Sequence, residues 1–90
     1  MEDPQFALEE VVTRLIDLPR LAFGDHRSDR AAYHPILTEA LTKANTLVWE
    51  HFSDDIHTDY LSRYSAAVHA RDTEAADKIA REWIHEMRMY

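Results

Sequence analysis

The chain has no cysteine and only one glycine, Gly24, among its 90 residues. Without cysteine it has neither disulfides nor thiolate ligands for zinc, and no cysteine nucleophile. A single glycine excludes a glycine-rich phosphate-binding loop and the paired glycines of a nucleophile elbow. The sequence therefore lacks the common motifs of nucleotide-binding and hydrolytic enzymes. We expect no catalytic residues and no enzymatic activity.

Basic residues are also scarce, with ten lysines and arginines against seventeen aspartates and glutamates, a formal net charge of −7. Because nucleic-acid binding needs a basic face, we expect no nucleic-acid partner. The apolar runs fall short of the roughly 20 residues of a membrane span, and the acidic start MEDPQFALEE is unlike a secretion signal. We therefore expect no membrane contact and a cytoplasmic location. An acidic protein of this kind suits a basic protein partner.

Turn-forming residues are few, which favours helices joined by short connections. Apolar residues recur at helical spacing in four segments, and no segment alternates with a period of two. These apolar stripes span Leu8–Ile16, Leu37–Phe52, Ile56–Val68 and Ala76–Met87. The pattern predicts an all-α fold in a single domain over residues 1–90. We expect an antiparallel up-and-down bundle of about four helices, with a short extra helix near 27–33.

The three prolines and a few capping residues set the expected helix boundaries. Pro4 follows an aspartate, as a first helical residue follows its N-cap. Pro19 is expected to end or kink the first helix, and Pro35 predicts a fresh helix beginning near His34. The expected N-caps are Asp3, Ser53 or Asp54, and Asp72.

Residues 50–57, EHFSDDIH, hold the densest set of chemical candidates. His51 and His57 fall on the inner stripes of consecutive helices, so we expect both to face inward near one another. Two neutral imidazoles with a carboxylate would suit zinc or nickel, and the spacing Glu82-x-x-His85 makes His85 a further candidate ligand. In the alternative interpretation, both histidines are hydrogen-bonded residues near a polar turn and bind no metal. The alternative is the one we expect.

The aromatic residues predict self-association. A chain this short buries only roughly 60–65% of its unfolded surface, yet it carries two tryptophans, four tyrosines and three phenylalanines. Trp49 lies well off the inner stripe of its helix, a position typical of an interface or groove. We predict a homodimer whose interface includes Trp49 and Tyr90.

Two segments carry the features of a known family. The hairpin YSAAVHARDTEAADKIAREWIH (64–85) has an Ala-Val pair, an aspartate at the turn (Asp72), then an alanine and a late histidine, His85. Upstream, YHPILTEALTKANTLV contains an aromatic-His pair that includes His34, followed by Asn45. This order resembles the C-terminal ligand-binding domain (FCD-type) of GntR-type, FadR-like transcription regulators, over about half the chain.

The resemblance implies a helical effector domain that binds a small acid or a metal, without the family's DNA-binding winged helix. Of the family's metal ligands, an aspartate and three histidines, His34 carries over, whereas Asp29, His57 and His85 are out of register. Three functions stay open. The first is a non-enzymatic binding or regulatory module that senses a small acid or metal. The second is a protein–protein interaction module, accessory or antitoxin-like, without a small ligand, and the third is a metal-dependent enzyme.

Overall fold

The computed structural model describes residues 3–52 and 55–89. Over these two ranges the chain forms five α-helices and no β-strand, which confirms the all-α prediction. The helices are α1 (Pro4–Leu15), α2 (Leu18–Ala22), α3 (Arg27–His51), α4 (Asp55–His69) and α5 (Thr73–Arg88). At 1.5 Å per residue α3 is about 37 Å long, which equals the longest dimension of the molecule, 37 Å.

The first two prolines each lie in the first turn of a helix. Asp3 caps α1, because its carboxylate accepts a hydrogen bond of 3.0 Å from the backbone N–H of Gln5. Pro4 follows at a position where a backbone N–H would have no partner within the helix. Pro19 is the second residue of α2, where a backbone N–H would likewise have no partner within the helix. The short extra helix therefore forms here, and the prediction of a short helix near 27–33 is wrong.

The third proline lies inside α3, where the sequence predicted a helix boundary. Pro35 removes one backbone hydrogen bond and crowds the turn before it. That turn is supported by α2, which packs against α3. The rings of Phe23 and His34 meet edge-on with centres 5.9 Å apart. The guanidinium of Arg30 also donates a hydrogen bond of 2.7 Å to the carbonyl of Gly24. Packing against α2 therefore keeps α3 continuous through its proline.

The core lies where the apolar stripes of the helices meet. Tyr64 and Trp83 are the largest fully buried side chains. The Tyr64 hydroxyl donates a hydrogen bond of 2.8 Å to the carbonyl of Leu15. Leu15 is the last residue of α1, so its carbonyl accepts no hydrogen bond within that helix. This bond ties α4 to the end of α1. Small residues at full burial bring the helices close: Ala44, Ala76 and Ala80.

The turn between α4 and α5 uses a left-handed residue other than glycine. The N–H of Asp72 donates to the carbonyl of Ala67 at 2.8 Å. The N–H of Arg71 donates to the carbonyl of Val68 at 3.0 Å, which completes a Schellman motif. Arg71 has a φ of 59°, a conformation that costs about 1–2 kcal/mol for a residue with a Cβ atom. Its guanidinium lies 5.6 Å from the ring centre of Phe23, and this cation–π contact offsets part of the strain.

Replacing Arg71 separates the backbone strain from the cation–π contact. Arg71→Gly and Arg71→Ala both remove the guanidinium, but only glycine adopts the left-handed conformation freely. We expect Arg71→Gly to be more stable than Arg71→Ala by about 1 kcal/mol, measured by urea unfolding followed by circular dichroism. Equal stabilities would show that the turn does not impose a left-handed backbone on residue 71.

Candidate functional site

His57 lies half-buried near the start of α4, among aromatic rings. Its Nδ1 accepts a hydrogen bond of 3.0 Å from Nε1–H of Trp83. The ring of Phe52 meets the imidazole edge-on, with ring centres 4.7 Å apart. Trp83 in turn stacks on Tyr60, with 6.0 Å between the ring centres and 9° between the planes. The imidazole therefore gives a fully buried indole N–H the partner it needs, and a neutral His57 carries its proton on Nε2.

His51 does not share this site, and the prediction that it faces inward is wrong. Its side chain is 43% exposed, and its Nε2 lies 3.8 Å from the carboxylate of the preceding residue, Glu50. The helix ends here because Phe52 adopts an extended backbone. That change of direction places the Phe52 ring beside His57, where the sequence had placed His51. One histidine is thus in solvent and the other among aromatic rings.

The other two metal candidates lie on separate helices. His34 is exposed on α3, and His85 is exposed on α5. Within residues 3–52 and 55–89, no three histidine, aspartate or glutamate side chains come close enough to hold a metal ion. Ser53 and Asp54, the expected caps of α4, lie outside the described residues. Metal binding by His57, the interpretation that the sequence analysis did not favour, therefore stays a hypothesis.

A groove of 640 Å³ between α2 and α5 gathers charged side chains around Asp77. Asp77 Oδ2 accepts a hydrogen bond of 3.0 Å from Nε of Arg81 and lies 3.5 Å from a guanidinium nitrogen of Arg20. The hydrogen bond and the charge of Asp77 both raise the pKa of Arg81. The second oxygen, Oδ1, is buried and has no hydrogen-bond partner among the side chains described.

The charge of this groove does not favour an acidic ligand. Its lining includes four carboxylates and three cationic groups, a net charge of −1, and two of the cationic groups already pair with Asp77. The lining residues are Arg20, Asp72, Glu74, Ala75, Asp77, Lys78, Arg81 and Glu82. The groove is open to solvent, and its ion pairs connect α2 to α5. Sequence reasoning missed this network, although the i, i+4 spacing of Asp77 and Arg81 is its signal.

The outward side of α3 carries a line of uncharged residues. Six exposed positions alternate in spacing between four and three residues, which keeps them on one line along a helix. We call them the α3 outer face: Ala31, Pro35, Thr38, Thr42, Asn45 and Trp49. The charged side chains of Glu39 and Lys43 line the depression between α1 and α3 instead. In a chain with 30% charged residues, all six exposed positions of this face are uncharged.

Among the large apolar side chains of the described residues, Trp49 is the most exposed, at 71%. Its position off the inner stripe of the helix predicts this exposure. Its Nε1–H donates a hydrogen bond of 3.0 Å to Oδ1 of Asn45. The hydroxyls of Thr38 and Thr42 donate to backbone carbonyls four residues earlier, at 3.1 and 2.9 Å. These donors are therefore satisfied within α3. Tyr90, the other predicted interface residue, lies outside the described residues.

Two other exposed apolar side chains stand among charges. Phe6, 62% exposed, shares a depression on α1 with Glu9, Glu10 and Arg14. Ile56, 42% exposed, lies beside further charged residues in a similar depression. Within the described residues, the α3 outer face is the only uncharged line that carries a highly exposed aromatic residue.

Comparisons with known proteins identify no relative. No family model, no curated protein and no solved structure matches the chain. None of the helices described is long and apolar enough to cross a membrane. The function is therefore inferred from the chemistry of the surfaces above.

Proposed function

We propose that this chain is a small helical binding module without catalytic activity, and that its partner is a protein. The observation that carries the proposal is Trp49, a tryptophan 71% exposed on an uncharged face of a helix. The cores of protein interfaces are depleted in charge and enriched in tryptophan. A regulatory role, which the resemblance to FadR-like effector domains implies, would then act through protein contact.

Two of the cavities described above do not favour a small acid, which supports a protein partner. A small-molecule pocket encloses most of its ligand and has a volume of about 300–1,000 Å³. The groove around Asp77 is large enough at 640 Å³, but it is open and has a net charge of −1. The depression between α1 and α3 is only 120 Å³. Neither matches a site for a small acid.

Site-specific photo-crosslinking in cells that produce the protein tests this proposal. A photoreactive phenylalanine analogue at Thr42 lies on the α3 outer face. The same analogue at Glu74, an exposed residue of α5, is the matched control. We expect a crosslinked protein adduct of defined mass from position 42 and none of that mass from position 74. If position 42 gives no adduct, or both positions give the same products, the α3 outer face is not a protein-binding surface.

A further inference from the structure

We infer that the protein bound by the α3 outer face is a second copy of this chain. The two α3 helices would pair antiparallel about a two-fold axis midway between Thr38 and Thr42. This inference rests on the proposed function, because it names the partner of the same surface. Charge, register and satisfied donors each support a part of it, and the contact size sets the expected strength of the pairing.

Charge selects the second copy over a basic protein. Two chains of net charge −7 repel each other at long range. They can come into contact with least repulsion through a face without charge, such as the α3 outer face. A basic partner would gain no electrostatic attraction from this face and would bind better to the acidic surfaces elsewhere on the chain. The uncharged face therefore fits a partner with the same negative charge.

The spacing of the face fits antiparallel pairing. Alternation of four and three residues is the heptad spacing of helices that pack side by side. About the proposed axis, Thr38 lies opposite Thr42 of the second copy. Trp49 lies opposite Ala31 of the second copy, and Pro35 is next to that alanine on the face. The largest side chain at one end of the face thus meets the smallest at the other end. The two-fold axis produces this contact twice, once at each end of the helix pair.

Three hydrogen-bond donors of the face do not oppose its burial. A buried donor without a partner weakens an interface. Here the hydroxyls of Thr38 and Thr42 already donate to carbonyls of α3, and the indole N–H of Trp49 donates to Asn45. The face can therefore lose its water without leaving these donors unpaired.

The size of the contact predicts a dimer that dissociates readily. The face is about 27 Å long and a helix with its side chains is about 10–12 Å wide. Two facing helices then cover on the order of 300 Å² in projection, below the ~800 Å² per partner of a stable interface. Threonine and asparagine at half of the contact positions weaken it further. We expect a dissociation constant in the micromolar range, with the dimer populated at about 100 μM.

Sedimentation velocity on the purified full chain, from low to high micromolar concentration, tests the inference. We expect a monomer–dimer equilibrium that Thr42→Glu weakens at least tenfold, because each introduced charge would be buried opposite Thr38 of the second copy, on either side of the two-fold axis. Thr13→Glu is the matched control: Thr13 is exposed, and its hydroxyl donates to the carbonyl four residues earlier, as that of Thr42 does. This control should leave the dissociation constant unchanged. Circular dichroism should show that both variants remain folded.

A double variant tests the register. Adding Thr38→Lys to Thr42→Glu places a lysine opposite the glutamate of the second copy only in the antiparallel arrangement. We expect this addition to restore dimer formation to within about threefold of the wild type. A parallel pair would instead bring like charges together, and dimer formation would stay weak. Failure of the restoration would overturn the antiparallel register.

Tryptophan fluorescence gives a second measurement on the unmodified chain. Trp83 is 0% exposed, so only the emission of Trp49 should become protected from iodide as the concentration rises. A protein that stays monomeric at several hundred micromolar, or a dimer that Thr42→Glu leaves intact, would overturn the inference. A crosslink from position 42 to a different protein would then leave the proposed function standing without the second copy.

Discussion

Trp83→Ala should lower the free energy of unfolding by about 3–5 kcal/mol. Trp83 is 0% exposed, and its ring stacks on Tyr60, so alanine would leave a cavity between α4 and α5. The change would also remove the hydrogen bond from Nε1–H of Trp83 to Nδ1 of His57. Small domains have a total stability of about 5–15 kcal/mol. We therefore expect a protein that is partly unfolded at 37 °C.

The chain contains its own control for this prediction. Trp49→Ala makes the same chemical change at a side chain that is 71% exposed, so its effect on stability should stay within about 0.5 kcal/mol. The free energies of unfolding of both variants are measured by urea unfolding, at a protein concentration low enough for the chain to be monomeric. Equal losses of stability would contradict the placement of the two tryptophans, one in the core and one on the surface.

Tyr64→Phe should destabilise the protein at neutral pH and much less at high pH. The change leaves the buried Leu15 carbonyl without the hydroxyl donor, at a cost of about 1–3 kcal/mol. In the wild type, burial and then the charge of Asp77 raise the pKa of Tyr64 far above its ordinary value of 10.0. Between that value and the folded pKa, the unfolded chain releases the proton while the folded protein keeps it. Protonated Tyr64 therefore makes its whole contribution to the free energy of unfolding below about pH 10. Above that pH the contribution falls by about 1.4 kcal/mol per pH unit.

Urea unfolding of the wild type and Tyr64→Phe at pH 8 and pH 11 measures this effect. The difference in free energy of unfolding between the two proteins should be about 1.4 kcal/mol smaller at pH 11 than at pH 8, because phenylalanine has no proton to release. Other groups that titrate in this range are shared by the two proteins and cancel in the comparison. A difference that stays constant with pH would mean that Tyr64 ionises equally easily in the folded and unfolded states.

The helices were predictable from the sequence because each depends on neighbours three or four residues apart. Asp3 with Pro4 predicts the start of α1, and Asp72 predicts the start of α5, where its carboxylate accepts a hydrogen bond from the N–H of Ala75. Continuity of α3 through Pro35 was not predictable in this way. It depends on packing with α2, a tertiary contact that overrides the local preference of proline.

The candidate site was predictable only in part. Helical periodicity correctly places Trp49 on the outside of α3 and turns His57 toward the core. Periodicity failed at His51, because α3 ends at that residue and the ring of Phe52 takes the place beside His57. A helical wheel assigns a direction to each side chain. It does not show whether a neighbouring helix extends far enough to bury that side chain.

The pairing of the first and last helices has a consequence for synthesis of the chain on the ribosome. Glu9 on α1 accepts a hydrogen bond of 3.1 Å from Arg88 near the end of α5, 79 residues later. At about 5–20 residues per second, roughly 4–16 seconds of translation separate these two positions. For that interval the nascent α1 lacks the helix that covers one side of its apolar stripe, which runs from Leu8 to Leu15. That side of the apolar stripe therefore stays uncovered by its native neighbour until α5 has been synthesised.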